Sequence, residues 1–434
     1  MEKSLEPAAA TGGQRTYLER WWAVNARPLC WLILTGTLAA HLLIFWINRQ
    51  SIAKGSLDFV AFYAAAQIVK NGQGEHLYNI ETQRLFQQQF SSFQENPLLY
   101  NHPPFEMLVY LPLAYFSFPT AFILWTVLNL GALCAFLYLL FPYLRNLRES
   151  LGSGLVVMLV FAFYPVLIAL MQGQDSLLFL LLYALTFAHL QRGNDGRAGL
   201  FAALGLFRYQ LMISLLLALG FRRRWKVLYG FLPGVAGLAL ATILTTGWRG
   251  PLENLSLLFQ INQAARSNPT NKAIYYIHPE AMPNLRGFFD AHLGGKIPDA
   301  YIVLLLVSLS LLLLVWSLTK GVGTRAENPT EMELPFALHT TIILLVSYHM
   351  HLHDVSVLLV PLLLVSNHLA KVPGRWRGSR LALILLVVGL FFSPTYVIPF
   401  CYGRLNLLAL ALVAFALLIG TAISRQQSPA LSAG

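Results

Sequence analysis

Residues 198–220 read AGLFAALGLFRYQLMISLLLALG, and the polar step Phe207-Arg208-Tyr209-Gln210 at their centre decides how the chain folds. Together these residues are long enough for one membrane span, but a charged step is costly in the middle of the hydrocarbon layer. The same step is favourable at the turn of two half-helices that fold back on themselves and line a polar cavity. We therefore predict a hairpin with Arg208 at its turn.

The composition is that of a polytopic helical membrane protein. Of the 434 residues, 56% are hydrophobic and 11% are charged, whereas soluble proteins carry about a quarter charged residues. Apolar runs predict an all-α fold with about eleven membrane segments. These segments are 29–47, 120–141, 152–171, 175–191, 198–220, 226–246, 300–319, 333–349, 354–370, 380–398 and 404–423.

The positions of the basic residues predict the orientation. With the hairpin, 19 of the 30 Lys and Arg residues fall on the side of the N-terminus, mostly in short loops. Short basic loops mark the cytoplasmic side, so we place the N-terminus in the cytoplasm. The net charge of +11 then reflects contact with membrane lipids, and no nucleic-acid partner is expected. We divide the chain into a flexible tail (1–28), a transmembrane domain (29–423) and a C-terminal tail (424–434).

Two long segments, 48–119 and 247–299, are predicted to face outward. Loops longer than about 15 residues are usually functional, so we expect both to be structured. The first contains helix-like stretches at 59–70 and 79–90. Asp58 opens the first stretch, close after the first span. A carboxylate held at the membrane surface is suited to act as a base on a lipid-linked substrate, although most such carboxylates are simply solvated.

The order of several motifs resembles glycosyltransferase family 87. Asp58 with Phe62-Tyr63-Ala64-Ala65 is similar to the acid and helix that follow the first span in that family. Leu77-Tyr78-Asn79 and the stretch from Tyr100 to Phe105 resemble two further elements. Gln172-Gly173-Gln174-Asp175 resembles an external GQxN turn with Asp in place of Asn, and Arg208 stands where Lys is usual.

This resemblance implies a GT-C membrane fold and an inverting transfer of a sugar from a polyprenyl-phosphate donor. The acceptor would be a glycolipid or an envelope glycan on the outer face of the cell (inner) membrane, and mannose is a candidate sugar. Asp58 would be the catalytic base. Because a phosphate leaves as a stable anion, one carboxylate suffices, whereas glycoside hydrolysis needs two. No cofactor is expected.

The leaving phosphate requires cations or hydrogen-bond donors. We assign this role to Arg208, Arg286, His349 and His353, and substrate contacts to Tyr63, Tyr78, His102, Gln174 and Asp175. His349 and His353 would share a helical face, as two zinc ligands can. We nevertheless expect no metal, because the sequence shows neither a third ligand cluster nor an acidic pair that would hold a metal-bound nucleotide sugar.

Two other functions fit parts of the pattern. Interrupted spans and a charged hairpin also occur in transporters and flippases, but no internal two-fold similarity is found in the sequence. A scaffold of an envelope-assembly complex remains a third possibility. Asp58 discriminates between them, because only an enzyme requires its carboxylate.

Overall fold

Helices make up all the regular structure of the residues that the structure, a computed structural model, describes. These residues are 17–91, 97–267, 278–323, 332–371 and 378–427. Within these residues, seven helical segments are long and apolar enough to cross a membrane, or up to nine if each of two bent helix pairs is one span. The chain is therefore an all-α polytopic membrane protein, as predicted.

Each of the eleven predicted segments coincides with helical structure. The helices are Tyr17–Ala53, Phe118–Leu140, Ser153–Phe161 with Tyr164–Gln172, Ser176–Gln191, Asp195–Leu204 with Tyr209–Phe221, Leu228–Thr246, Asp299–Thr319, Glu333–Val346, Leu359–Lys371, Gly378–Phe391 with Pro394–Cys401, and Leu408–Gln427. The pairs that begin at Ser153 and Gly378 are bent by 50° and 63°. Ser176–Gln191 and Glu333–Val346 are shorter than a usual span.

Helical structure extends into both predicted tails. The first helix begins at Tyr17 and the last continues to Gln427, so part of each predicted tail (1–28 and 424–434) is helical. The first helix also extends to Ala53, six residues past the predicted end of the span. Apolar periodicity locates the hydrophobic part of a helix, whereas helical hydrogen bonding can continue through the polar residues beside it. Residues 1–16 and 428–434 lie outside the described residues.

The hairpin at 195–221 agrees with the sequence prediction. By length this stretch could be one span of 27 residues, about 40 Å long if straight. However, Arg224, just beyond its end, is paired with the side chain of Asp195 at its start. Arg224 Nη2 also donates to the carbonyl of Leu190 at 3.0 Å. A straight helix could not bring these residues together, so Asp195–Leu204 and Tyr209–Phe221 run in opposite directions.

Close backbone packing holds the hairpin against the next helix. A Cβ atom on Gly199 would overlap the carbonyl of Val227, and one on Gly230 would overlap that of Gly196. Small residues let membrane helices approach closely where side chains would separate them. The first half of the hairpin and helix Leu228–Thr246 therefore begin at the same end of the bundle.

Side-chain contacts gather the basic loops at that end. Arg27 Nη2 donates to the carbonyl of Ser150 at 2.7 Å, Arg380 Nη2 to that of Leu369 at 3.0 Å, and Lys320 Nζ to Ser424 Oγ at 2.6 Å. The groups of the candidate site described below lie at the opposite end.

The first of the two long segments, 48–119, folds around its own core. Helices Phe59–Lys70 and Ile80–Gln88 lie close to the predicted stretches. Phe59 and other buried side chains of the first of these helices form a cluster with Tyr100, with Trp125 of helix Phe118–Leu140 and with Leu257 of helix Gly250–Ser267. This separate core fixes Asp58 and the 98–103 stretch relative to the bundle.

Candidate functional site

Asp58 lies at the edge of a cavity, at the start of helix Phe59–Lys70. Its side chain does not cap that helix. Instead, Oδ2 accepts a hydrogen bond of 2.6 Å from Nε2 of Gln174. Burial raises the pKa of Asp58, an effect that Gln174 and the nearby His351 partly oppose. A carboxylate that is oriented and less acidic than usual is a better proton acceptor than a solvated one.

The turn 172–175 positions Gln174 beside Asp58. Gly173 has φ +64°, a left-handed conformation that favours glycine. A Cβ atom there would lie 2.7 Å from Cβ of Phe59, the residue after Asp58. Trp125 Nε1 donates to the Gly173 carbonyl at 2.8 Å. The glycine therefore permits the close approach that brings Gln174 to Asp58.

Arg208 lies at the turn of the hairpin, as predicted, and is surrounded by acceptors. It is paired with Asp175 and, through Nη1 at 2.8 Å, with Oδ1 of Asp354. Nη2 also lies 3.4 Å from Oε1 of Gln174. One buried guanidinium thus joins the 172–175 turn, the hairpin and the segment before helix Leu359–Lys371. Its two terminal nitrogens are occupied by protein carboxylates.

A second polar group consists of His102, Glu106 and Asp175. His102 Nδ1 is 2.8 Å from Oε2 of Glu106 and 3.8 Å from Oδ2 of Asp175. Burial raises the pKa of Glu106 to about 8. Burial alone would lower the pKa of His102, but the Glu106 carboxylate raises it overall. One ligand atom from each of the three residues lies within 4.8 Å of the others, a spacing that could hold a metal ion.

The histidine run does not form the predicted helical face. Helix Glu333–Val346 ends before it and the next turn begins at Asp354, so His349 and His353 do not share a helix. The backbone N–H of His351 donates to Oδ2 of Asp354 at 2.9 Å. His353 Nδ1 lies 3.0 Å from Oε1 of Gln172. Burial lowers the pKa of His351 and His353, which leaves both rings uncharged at neutral pH.

These groups surround a cavity of about 430 Å³, a size suited to a small ligand or to part of a larger one. Its lining residues are Asp58, Ala61, Phe62, 98–103, Gln174, 207–210, Leu255, Leu258, Phe259, Ile261, Tyr348, His349, His351 and His353. One wall is polar and carries Asp58, and the other is apolar and comes partly from helix Gly250–Ser267.

The structure separates the predicted site residues into two groups. Asp58, His102, Gln174, Arg208, His349 and His353 line the cavity, and Asp175 lies just behind it. Tyr63, Tyr78 and Arg286 do not line it.

The three residues outside the lining have structural contacts instead. Tyr63 donates to the carbonyl of Phe116 at 2.7 Å, and Tyr78 donates to that of His102 at 2.7 Å. Arg286 lies 3.8 Å from the ring centroid of Tyr348. The sequence showed that these side chains are aromatic or charged, but not that neighbouring backbone would take their polar atoms.

Three residues of the site were not assigned from the sequence. His351 lies in the histidine run, but the helical spacing favoured its neighbours. Asp354 was read as the start of a span, yet it pairs with Arg208. Glu106 directly follows the stretch from Tyr100 to Phe105, whose residues were considered only as a motif. Its spacing of four residues from His102 was a usable signal, because such residues face the same side of a helical turn.

Comparison with known protein families identifies the family of the chain. The sequence pattern of glycosyltransferase family 87 matches residues 100–347, more than half of the chain. This region contains His102, Gln174, Asp175 and Arg208, whereas Asp58 precedes it. No curated protein and no solved structure matches the chain. By the extent of the match, this chain belongs to glycosyltransferase family 87.

Proposed function

We propose that the protein transfers a sugar from a polyprenyl-phosphate donor to a hydroxyl group of a glycolipid or envelope glycan. The observation that carries this proposal is the carboxylate of Asp58, oriented by Gln174 on the wall of the cavity. Membership of the family supports a glycosyltransferase. The donor and the acceptor are inferences from the family resemblance, and the side of the membrane is an inference from the basic loops.

The proposed reaction needs one base. Asp58 removes the proton from the acceptor hydroxyl while the hydroxyl oxygen forms a bond to the anomeric carbon. The bond between that carbon and the phosphate oxygen breaks on the opposite face, so the configuration inverts and the phosphate leaves with the electron pair. A positioned base contributes about 10²–10⁴-fold to such a rate.

The two walls of the cavity fit the two ends of a lipid-linked donor. Leu255, Leu258 and Phe259 form an apolar surface beside Asp58, suited to a polyprenyl chain. Arg208 and the histidines offer a cation and hydrogen-bond donors to a phosphate. Because Arg208 already pairs with Asp175 and Asp354, we assign it to positioning the site and to long-range attraction of the phosphate.

The positions of the loops support an outward-facing site. The basic loops meet at one end of the bundle and Asp58 lies at the other, so the rule that places basic loops in the cytoplasm puts the cavity on the outer face. A polyprenyl-phosphate sugar is suited to that location, because it is held in the membrane and needs no nucleotide.

The proposal is tested with purified protein and two labelled donors of the same sugar, beginning with mannose. One donor carries the sugar on polyprenyl phosphate and the other on a nucleotide, and a membrane extract supplies the acceptor. We expect transfer from the lipid donor alone. Transfer from the nucleotide donor alone would contradict the proposed donor class.

A further inference from the structure

We propose that His102, Glu106 and Asp175 bind one first-row divalent cation, such as Mn²⁺ or Zn²⁺, beside the cavity. This site is additional to the proposed sugar transfer, and the inference does not depend on that activity. An imidazole nitrogen with two carboxylate oxygens is a ligand set that these ions accept.

The spacing of the three side chains fits one ion. Bonds of about 2.0–2.2 Å to a common ion leave ligand atoms roughly 3–4 Å apart. His102 Nδ1 is 2.8 Å from Oε2 of Glu106 and 3.8 Å from Oδ2 of Asp175. Only small side-chain movements are needed to bring these atoms around a cation.

Unpartnered buried oxygens are the second observation. Oδ2 of Asp175 and Oε1 of Glu106 are buried and accept no hydrogen bond from any other described residue, so that only a proton on Glu106, held between the two carboxyl groups, would pair them. The two residues are 1% and 3% exposed. Buried carboxylate oxygens without a donor are costly, and a bound cation would satisfy them.

The charges near Arg208 also favour a cation. Its single positive charge faces Asp175 and Asp354 directly, and Glu106 adds a third carboxylate close to Asp175. One divalent cation would balance these three groups together with Arg208, once it has displaced the proton of Glu106. Asp175 would then bridge the guanidinium and the ion, one oxygen to each.

Neighbouring groups hold the ligands in place. Pro103 and Pro104 lie between His102 and Glu106 and restrict the backbone there. Tyr78 Oη and Asn254 Nδ2 donate to the carbonyl of His102, at 2.7 and 3.2 Å. Groups that orient a ligand in this way preserve metal affinity.

The test is Mn²⁺ binding to the purified, chelator-treated full-length protein. Binding is measured by the loss of the electron paramagnetic resonance signal of the free ion. We expect saturation at one ion per chain and displacement by Zn²⁺. The electron spin-echo signal of the bound ion should show a modulation from an imidazole nitrogen. Glu106→Gln should weaken binding at least 100-fold. Glu75→Gln, which alters the exposed His76–Glu75 pair, is the control and should leave binding unchanged.

Two results would overturn the proposal. One is the absence of saturable binding to the wild-type protein, and the other is unchanged binding to Glu106→Gln. If that variant does not fold, His102→Gln takes its place and should remove the nitrogen modulation, whereas an ion held by His349, His351 or His353, which also line the cavity, would keep it. The readout is binding, so it is independent of whether the proposed transfer reaction is correct.

Discussion

At the scale of single residues, Gln174 connects the two charged parts of the site. Its amide nitrogen donates to Asp58, and its oxygen faces Arg208. The side chain thereby sets the direction in which Asp58 presents its carboxylate to the cavity. Gln174 is a positioning residue in this account, and Asp58 is the catalytic one.

Replacing Gln174 by Met should move the acidic limb of the pH–rate profile to higher pH. Burial raises the pKa of Asp58, and the Gln174 hydrogen bond lowers it, so losing that bond raises it further. Only the ionised carboxylate is a base, hence activity falls as the pH decreases through this pKa. A hydrogen bond to a charged group is worth about 1.5 kcal/mol, or roughly one pH unit.

The measurement is kcat/KM for sugar transfer between acidic and neutral pH. Gln172→Met is a matched control in the same turn, because Gln172 contacts His353 and not Asp58. Its limb should stay in place. A limb of Gln174→Met that stays in place or moves to lower pH would contradict the role given to the amide.

The residues also show how far the sequence predicts the site. Asp58, Gln174 and Arg208 were predicted because each stands out locally, as a carboxylate after a span, a polar turn or a charge in an apolar run. Glu106 was not assigned, and the backbone contact of Tyr63 was not foreseen, because both depend on residues distant in sequence. Glu106 meets Asp175, and Tyr63 donates to Phe116.

At the scale of elements, two helices that are shorter than a usual span set the depth of the site relative to the ends of the long spans. Ser176–Gln191 and Glu333–Val346 have 16 and 14 residues, about 24 and 21 Å. Asp175 lies in the turn before the first of these helices, and the histidine run follows the second. Periodicity predicted these helices, but the course of the histidine run depended on where the helix ended, which hydropathy does not determine.

The turn that carries Gln174 gives a prediction at this scale. Gly173→Ala should reduce transfer at least tenfold, because the new Cβ would push Phe59 and the adjoining Asp58 aside. A left-handed non-glycine residue costs about 1–2 kcal/mol wherever it occurs. Gly193→Ala separates the two effects, since Gly193 has φ +69° and a Cβ there would meet nothing within 4 Å.

Thermal unfolding and sugar transfer are measured for both variants. Both variants should lose a similar backbone contribution to the free energy of unfolding. Only Gly173→Ala should lose more activity than its loss of stability explains. Equal activity in the two variants would show that the contact between Gly173 and Phe59 does not position Asp58.

At the scale of the whole molecule, two hydrophobic clusters stabilise different parts of the fold. One fills the helical bundle, and the other lies under segment 48–119. The cavity lies where they meet, with Asp58 on the second and Arg208 on the first. The sequence predicted both parts from composition and loop length. It could not predict their relative placement, because that depends on packing such as the contact of Phe59 with Gly173.

The orientation of the molecule is tested with single cysteines in a variant lacking Cys30, Cys134 and Cys401. Cysteines are placed at the exposed positions of Arg197 and Glu75, at opposite ends of the bundle. A membrane-impermeant maleimide should label position 75 in intact cells and position 197 only in inverted membranes. The reverse pattern would place the cavity in the cytoplasm.

The most direct test of the account is transfer of a labelled sugar from polyprenyl phosphate by the wild-type protein and by Asp58→Asn. The substitution keeps the size of the side chain and removes the base. At equal protein levels and equal melting temperature, we predict at least a hundredfold loss, with Glu75→Gln fully active as the control. Equal transfer by the wild-type protein and Asp58→Asn would contradict the assignment of Asp58 as the catalytic base.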